Sequence, residues 1–285
     1  MRDHRLSERH ITPGPALGDP VGLVRAMCGD YARSGELAWA LFRRSLRSQY
    51  RQTLLGYGWL LIPPLATTVT FLALQRANIV NPGTSAAGYA AFVMTGAVLW
   101  QGFTDALGSP LRVIRSAISM LASVNFPREA LVVGGLMEVL FSLGVRVAFL
   151  LIALAAMGSP PSWATPLAVG AIAALVLLGW MVGLLLVPAG ILFRDVELGL
   201  PIITTVWFFI TPVAYNLPSE GLLAIVGRLN PVTPLLVLGR DLILRGETEH
   251  VMAAAPALAA TLGLAFAVSV LFRITIPHVV KRLPG

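Results

Sequence analysis

Pro166–Leu192 reads PLAVGAIAALVLLGWMVGLLLVPAGIL, an apolar run without one ionisable side chain. About 20 residues of α-helix cross the hydrocarbon of a bilayer. The run is long enough to do so, and it decides the fold class. Five similar runs extend outward from it. Leu54–Leu74 is entered through Gly56, Gly58 and Trp59 and carries Pro63-Pro64. Tyr89–Leu107 follows, then Ala130–Met157, which is long enough to tilt. Beyond the quoted run come Leu200–Ala214, which is short, and Met252–Phe272. The expectation is an all-α integral membrane fold of about six transmembrane helices. Leu217–Arg245 is moderately apolar but broken by Pro218, Pro231 and Pro234. A re-entrant hairpin between the fifth and sixth spans, on the outer side, or a set of surface helices, fits it better than a straight span.

Composition agrees. Of 285 residues, 56% are hydrophobic and 12% are charged, with a mean hydropathy of +0.78. An ordinary soluble domain has roughly 25% charged residues. Too few polar side chains exist here to cover a water-soluble core of this size. The net charge is +7, yet the basic residues flank the apolar runs. They therefore point to a membrane surface and not to nucleic acid. Residues 1–53, 108–129, 193–199 and 273–285 hold 16 of the 21 basic residues. The alternate segments hold four, Arg76, Arg228, Arg240 and Arg245. This asymmetry predicts both termini on the cytoplasmic side. Cys28 is the single cysteine, so no disulfide or cysteine-based metal site forms within one chain. Met1–Arg51 lacks the apolar core of a signal peptide, which leaves the first span as the targeting signal.

Two polar segments carry helical patterns. Residues 1–35 are a polar tail, with Pro13, Pro15 and Pro20, and the start of a helix. Over 36–52, Trp39, Phe42, Leu46 and Tyr50 share one face, and Arg43, Arg47 and Arg51 form another stripe. This is an amphipathic helix lying in the membrane interface, or an ordinary solvated helix before the first span. After the second span, Ser109-Pro110 reads as a helix start, with serine as N-cap and proline at the first helical position. Leu111, Ile114, Ile118 and Leu121 then fall on one face, beside Arg112 and Arg115, until Asn125-Phe126-Pro127. Such a helix docks into a soluble partner or rests on the bilayer.

Little points to chemistry. A G-x-x-x-x-G-K-[ST] nucleotide loop cannot occur, because Lys281 is the only lysine. The histidines, His4, His10, His250 and His278, lie outside the predicted spans, and no metal site is expected. Asp105, Glu138 and Arg146 are the ionisable residues within spans, and such residues are functional candidates by default. Glu138 and Arg146 are roughly 12 Å apart along one helix, too far to pair. Each needs a partner on another helix, a water-lined cavity or a second subunit. A structural polar contact and the lining of a pathway are equal readings. Trp207-Phe208-Phe209 and Tyr215 are either an interfacial aromatic belt or rings lining a wide pore, suited to the C–H faces of sugars.

Several segments together resemble the membrane permeases of ABC-2-type polysaccharide exporters, which move O-antigen, capsule and teichoic acid. Arg47–Trp59 (RSQYRQTLLGYGW) resembles that family's opening segment, and Phe126-Pro127-Arg128-Glu129 the element before its third span. Phe193-Arg194-Asp195-Val196 resembles the turn after its fourth span. WFFITPVAY at 207–215 and LNPVTP at 229–234 complete the set, in the family's order. The resemblance implies that 53–285 is an ABC-2-type transmembrane domain. It implies a homodimer completed by two copies of a cytoplasmic ABC ATPase, which would bind the ATP and Mg while this chain binds no cofactor. It implies a multi-pass protein of the bacterial cytoplasmic (inner) membrane, and a glycan linked to undecaprenyl pyrophosphate as cargo. Helix 110–124 would be a coupling helix, with Leu111, Arg112, Ile114, Arg115 and Ile118 toward the ATPase and Arg194 and Asp195 nearby. Arg44, Arg47 and Arg51 would engage the pyrophosphate, with membrane lipid as their other partner. Trp207, Phe208 and Tyr215 would line the glycan path. Two other functions share this topology or setting: an ABC permease for a drug or lipid, and a membrane-embedded glycan transferase. A transferase would need a cluster of catalytic side chains that the spans lack, and a secondary transporter would need repeats that are absent.

Overall fold

The computed structural model describes residues 35–50, 53–80, 85–117, 128–248 and 250–280. Among these residues every regular element is helical. In chain order they are α1 (Gly35–Tyr50), a 3-10 turn (Gly56–Leu60), α2 (Ile62–Arg76), α3 (Ala86–Ser116) and α4 (Arg128–Ala156). Then follow α5 (Thr165–Leu192), α6 (Arg194–Ile210), α7 (Leu222–Leu229), α8 (Val232–Leu244) and α9 (His250–Val280).

The run quoted first is α5, and it is the spine of the fold. Lipid gives helices no hydrophobic reason to associate, so close packing must hold them. Gly179 and Gly183 lie one turn apart on the α5 face toward α3. A Cβ at Gly179 would press on the Phe103 carbonyl, and one at Gly183 on the Leu107 carbonyl. Two glycines four residues apart thus bring two backbones together, and α3 and α5 form the most extensive helix–helix contact among the described residues. Phe103, Leu107 and Leu175 are fully buried there. α8 and α9 cover other sides of α5, α4 packs on α3 and α1, and α2 packs on α3.

Among the described residues, three segments are long and apolar enough to cross a membrane: Ala130–Ala156, Thr165–Leu192 and Val251–Val268. α7 and α8 form a fourth candidate only as a bent pair, meeting at 86°. The break falls at Asn230-Pro231, within the proline-broken segment that was expected not to run straight. Among the other expected spans, the first is divided into the 3-10 turn and α2. The fifth starts earlier, at Arg194, and ends at Ile210.

One expectation is corrected. Ser109-Pro110 does not start a helix; α3 runs through it to Ser116. A proline inside a helix removes one hydrogen bond and crowds the preceding turn. Here the ring is accommodated, because its Cδ lies where a side chain at Gly183 would be. Ser109 is not a cap either: its hydroxyl donates to the Gly135 carbonyl on α4 at 3.4 Å. Leu111 and Ile114 are buried, Leu111 against Gly190 of α5, so this chain itself covers the part of the expected partner face that these two residues form. Ile118, Leu121 and 125–127 lie outside the described residues.

Candidate functional site

Between α2, α3 and α6 lies a groove of about 520 Å³. Its polar lining is neutral: Thr67, Thr70, Gln101, Thr104, Thr204 and Thr205. Its rings are Phe71, Trp100, Phe208 and Phe209. The sequence builds this wall through prolines followed by threonines. Thr67 and Thr68 donate to the carbonyls of Pro63 and Pro64 at 3.0 and 2.8 Å. Thr204 and Thr205 both donate to Pro201 at 3.0 and 2.8 Å. Hydroxyls one turn after a proline commonly bond back to the helix backbone in this way.

The rings are fixed by edge-to-face packing, the arrangement their quadrupoles favour. Phe208 meets Trp100 at 5.9 Å between centroids, and Trp207 meets Phe103 at 5.2 Å. Trp207 sits behind Phe208, and its indole N–H donates to Asn230 at 3.1 Å. Asn230 donates in turn to Thr211 at 2.8 Å, and Thr211 to the Trp207 carbonyl at 2.9 Å. The WFFITP and LNP segments therefore close on each other, and Asn230 ties the C-terminal end of α7 to the end of α6. Tyr215 is placed elsewhere. Its hydroxyl is shared by the Phe209 and Ile210 carbonyls, at 3.0 Å each, and so satisfies the end of α6. Its ring lines a separate cavity of about 500 Å³ with Tyr89, Phe92, Asn216 and Arg245. Of the three rings expected to share a path, Phe208 alone lines the groove.

Two charged residues meet next to Gln101, which lines the groove. Arg146 on α4 pairs with Asp105 on α3 at 2.5 Å, and Gln101 donates to the same carboxylate at 3.0 Å. The Arg146 Nε donates to the Leu60 carbonyl at 2.9 Å. That carbonyl could accept only from the backbone nitrogens three or four residues on. These belong to Pro63 and Pro64, which have no N–H. Arg146 supplies the missing donor and ties the turn before α2 to α3 and α4. Glu138 is separate from this network. It accepts a hydrogen bond from Ser45 of α1, faces Arg112, and lines a cavity of about 600 Å³ with Arg44, Ser48 and Gln49. Arg44 and Arg112 are thus brought together across α1 and α3. Arg47 is exposed on α1, and Arg51 lies outside the described residues.

Arg115 at the end of α3 pairs with Glu197 at the start of α6, beside exposed Arg194 and Asp195. The sequence did not single out Glu197, nor did it single out Arg240 as a site. Arg240 is buried in α8 and donates to the Pro212 and Val213 carbonyls at 2.8 and 3.3 Å. Its guanidinium lies 3.7 Å over the Phe92 ring, a cation–π contact. An arginine inside the apolar stretch VTPLLVLGRDLIL was the available signal.

No family model matches the chain. Two curated relatives do. The O-antigen export system permease protein RfbA of Myxococcus xanthus is 26% identical over 206 residues, 69% of this chain and 76% of that protein. The protein of the same name from Klebsiella pneumoniae is 24% identical over 230 residues, 75% and 83% of the two chains. The chain is therefore similar to polysaccharide-export permeases along most of its length, as its motifs indicated. Its long apolar helices and these relatives make it a multi-pass membrane protein.

Proposed function

We propose that this chain is the transmembrane subunit of an ATP-driven exporter. Its cargo is a lipid-linked polysaccharide, a glycan on undecaprenyl pyrophosphate, carried across the bacterial cytoplasmic membrane. The observation that carries the reading is the neutral, ring-lined groove in a chain similar to two O-antigen export permeases. Hydroxyls and aromatic faces suit a hydroxyl-rich polymer that must be contacted without being held.

In this reading α2, α3, α4, α5, α6 and α9 are the six spans, with both termini inside and the α7–α8 pair re-entrant from the outer side. α2 and α6 are short, about 22 and 26 Å at 1.5 Å per residue. They suit the wall of a passage better than a lipid-facing perimeter. Two copies of the chain would set their grooves against each other around one path. Arg44, Arg47, Arg51 and Arg112 would gather at the pyrophosphate, since guanidinium groups donate paired hydrogen bonds to phosphate oxygens. A partner ATPase would bind ATP and Mg and act on the cytoplasmic ends of α3 and α6, which Arg115 and Glu197 join.

The test is deletion of this subunit, followed by analysis of the cell's lipid-linked glycans. One undecaprenyl-linked polymer should accumulate inside and leave the surface, and the intact chain should restore it. Unchanged surface glycan, with loss of resistance to a drug or of a lipid from the outer leaflet, would replace this reading.

A further inference from the structure

The hydrogen-bond donors of the α2–α3–α6 groove are nearly all committed within the chain. A hydroxyl has one proton to give and two lone pairs to receive. Thr67, Thr204 and Thr205 give theirs to proline carbonyls, and Thr104 gives its own to the Gln101 carbonyl at 3.1 Å. The Gln101 amide has two protons, and these point to Thr104 and Asp105 at 3.3 and 3.0 Å. Among the described lining residues, the Thr70 hydroxyl and the Trp100 indole N–H are the donors left. Among the described residues, no lysine, arginine or histidine lines the groove. The groove therefore offers lone pairs and the electron-rich faces of its rings. Asp105, which the lining residue Gln101 reaches, is negative and is paired with Arg146.

Resting on the proposed function, we infer that this groove is an acceptor-rich track for the neutral, hydroxyl-rich part of the glycan, and that it disfavours anionic groups. A sugar hydroxyl brings its own proton to each waiting lone pair, and a sugar's C–H face meets a ring. A carboxylate, sulfate or phosphate brings only more acceptors, and finds among the described residues no counter-charge and only the Thr70 hydroxyl and the Trp100 N–H to replace its water. The cargo's repeating unit is accordingly expected to be neutral, or to carry few charges.

Accessibility of a single thiol tests this without requiring export. The full-length chain carries Cys28→Ser and Thr205→Cys, and a reference chain carries Cys28→Ser and Ala87→Cys, both in their native membrane. Three methanethiosulfonates of similar size are compared: a neutral glucosyl reagent, a cationic trimethylammonium reagent and an anionic sulfonate. Each rate at position 205 is divided by the same reagent's rate at position 87. The inference predicts that the anionic ratio falls about tenfold below the neutral and cationic ones, the factor for about 1.4 kcal/mol. Equal slowing of both ions would mean a plain low-dielectric barrier and would overturn it. An anionic ratio equal to the neutral one would overturn it as well. Adding Thr204→Lys supplies a donor and should raise the anionic ratio; if that variant does not accumulate, the two single-thiol chains decide alone. Failure here leaves the deletion experiment untouched, and failure there leaves the groove's preference standing.

Discussion

Asp105–Arg146 and Arg115–Glu197 are both acid–arginine pairs that join α3 to another helix, yet their settings differ. In the first, Arg146 is 4% exposed and Asp105 24%; in the second, the side chains are 23% and 45% exposed. The inner pair also holds the Leu60 carbonyl and a glutamine amide. The outer pair can trade each partner for water. Equal chemistry therefore carries unequal weight. Losing one member of a buried pair strands the other, whereas losing one member of a surface pair merely leaves the other to solvent.

Breaking the inner pair gives the largest expected effect. Arg146→Met should lower the stability of the detergent-solubilised protein by about 3–5 kcal/mol, because Asp105 is left unpaired and the Leu60 carbonyl unbonded. Thermal unfolding of the purified chain measures it. Adding Asp105→Leu to Arg146→Met should recover part of that loss, since the stranded charge is gone while the Leu60 carbonyl still lacks its donor; a double mutant as unstable as the single one would mean that charge is not the cause. Trp207→Phe is a smaller, uncharged control. It deletes the indole N–H to Asn230 and keeps an aromatic ring, so about 1 kcal/mol should be lost in the same unfolding assay. Glu197→Gln should cost at most about 1 kcal/mol. Raising the salt concentration should erase that difference and leave the Arg146→Met effect in place.

The same contrast explains what was legible in the sequence. The runs Ala130–Met157 and Pro166–Leu192 agree with α4 and α5 to within two residues, because an apolar helix in lipid announces itself by composition. The break in Leu217–Arg245 was legible through its prolines. Spacing alone showed that Glu138 and Arg146 could not pair and that each needed a partner on another helix, a water-lined cavity or a second subunit; the structure gives Arg146 Asp105, and Glu138 both Ser45 and a cavity. It could not name them, since the pairing depends on which faces α1, α3 and α4 present to one another. Ser109-Pro110 misled for the same reason. Local rules read it as a start, but room for the ring comes from Gly183, 73 positions away in a different helix. The groove was half visible. Phe208 stood out by type, but Thr67, Thr204 and Thr205 are ordinary in isolation and become a lining only when α2 and α6 flank α3.

Movement of glycan across the membrane is the most direct measurement of the central claim. Inverted inner-membrane vesicles from cells making the lipid-linked polymer expose it to added glycosidase. Given ATP, vesicles containing this chain and its ATPase should render the polymer resistant to the enzyme, while vesicles lacking this chain should leave it fully digestible. Equal digestion in both, with the ATPase active and the polymer present, would contradict the account.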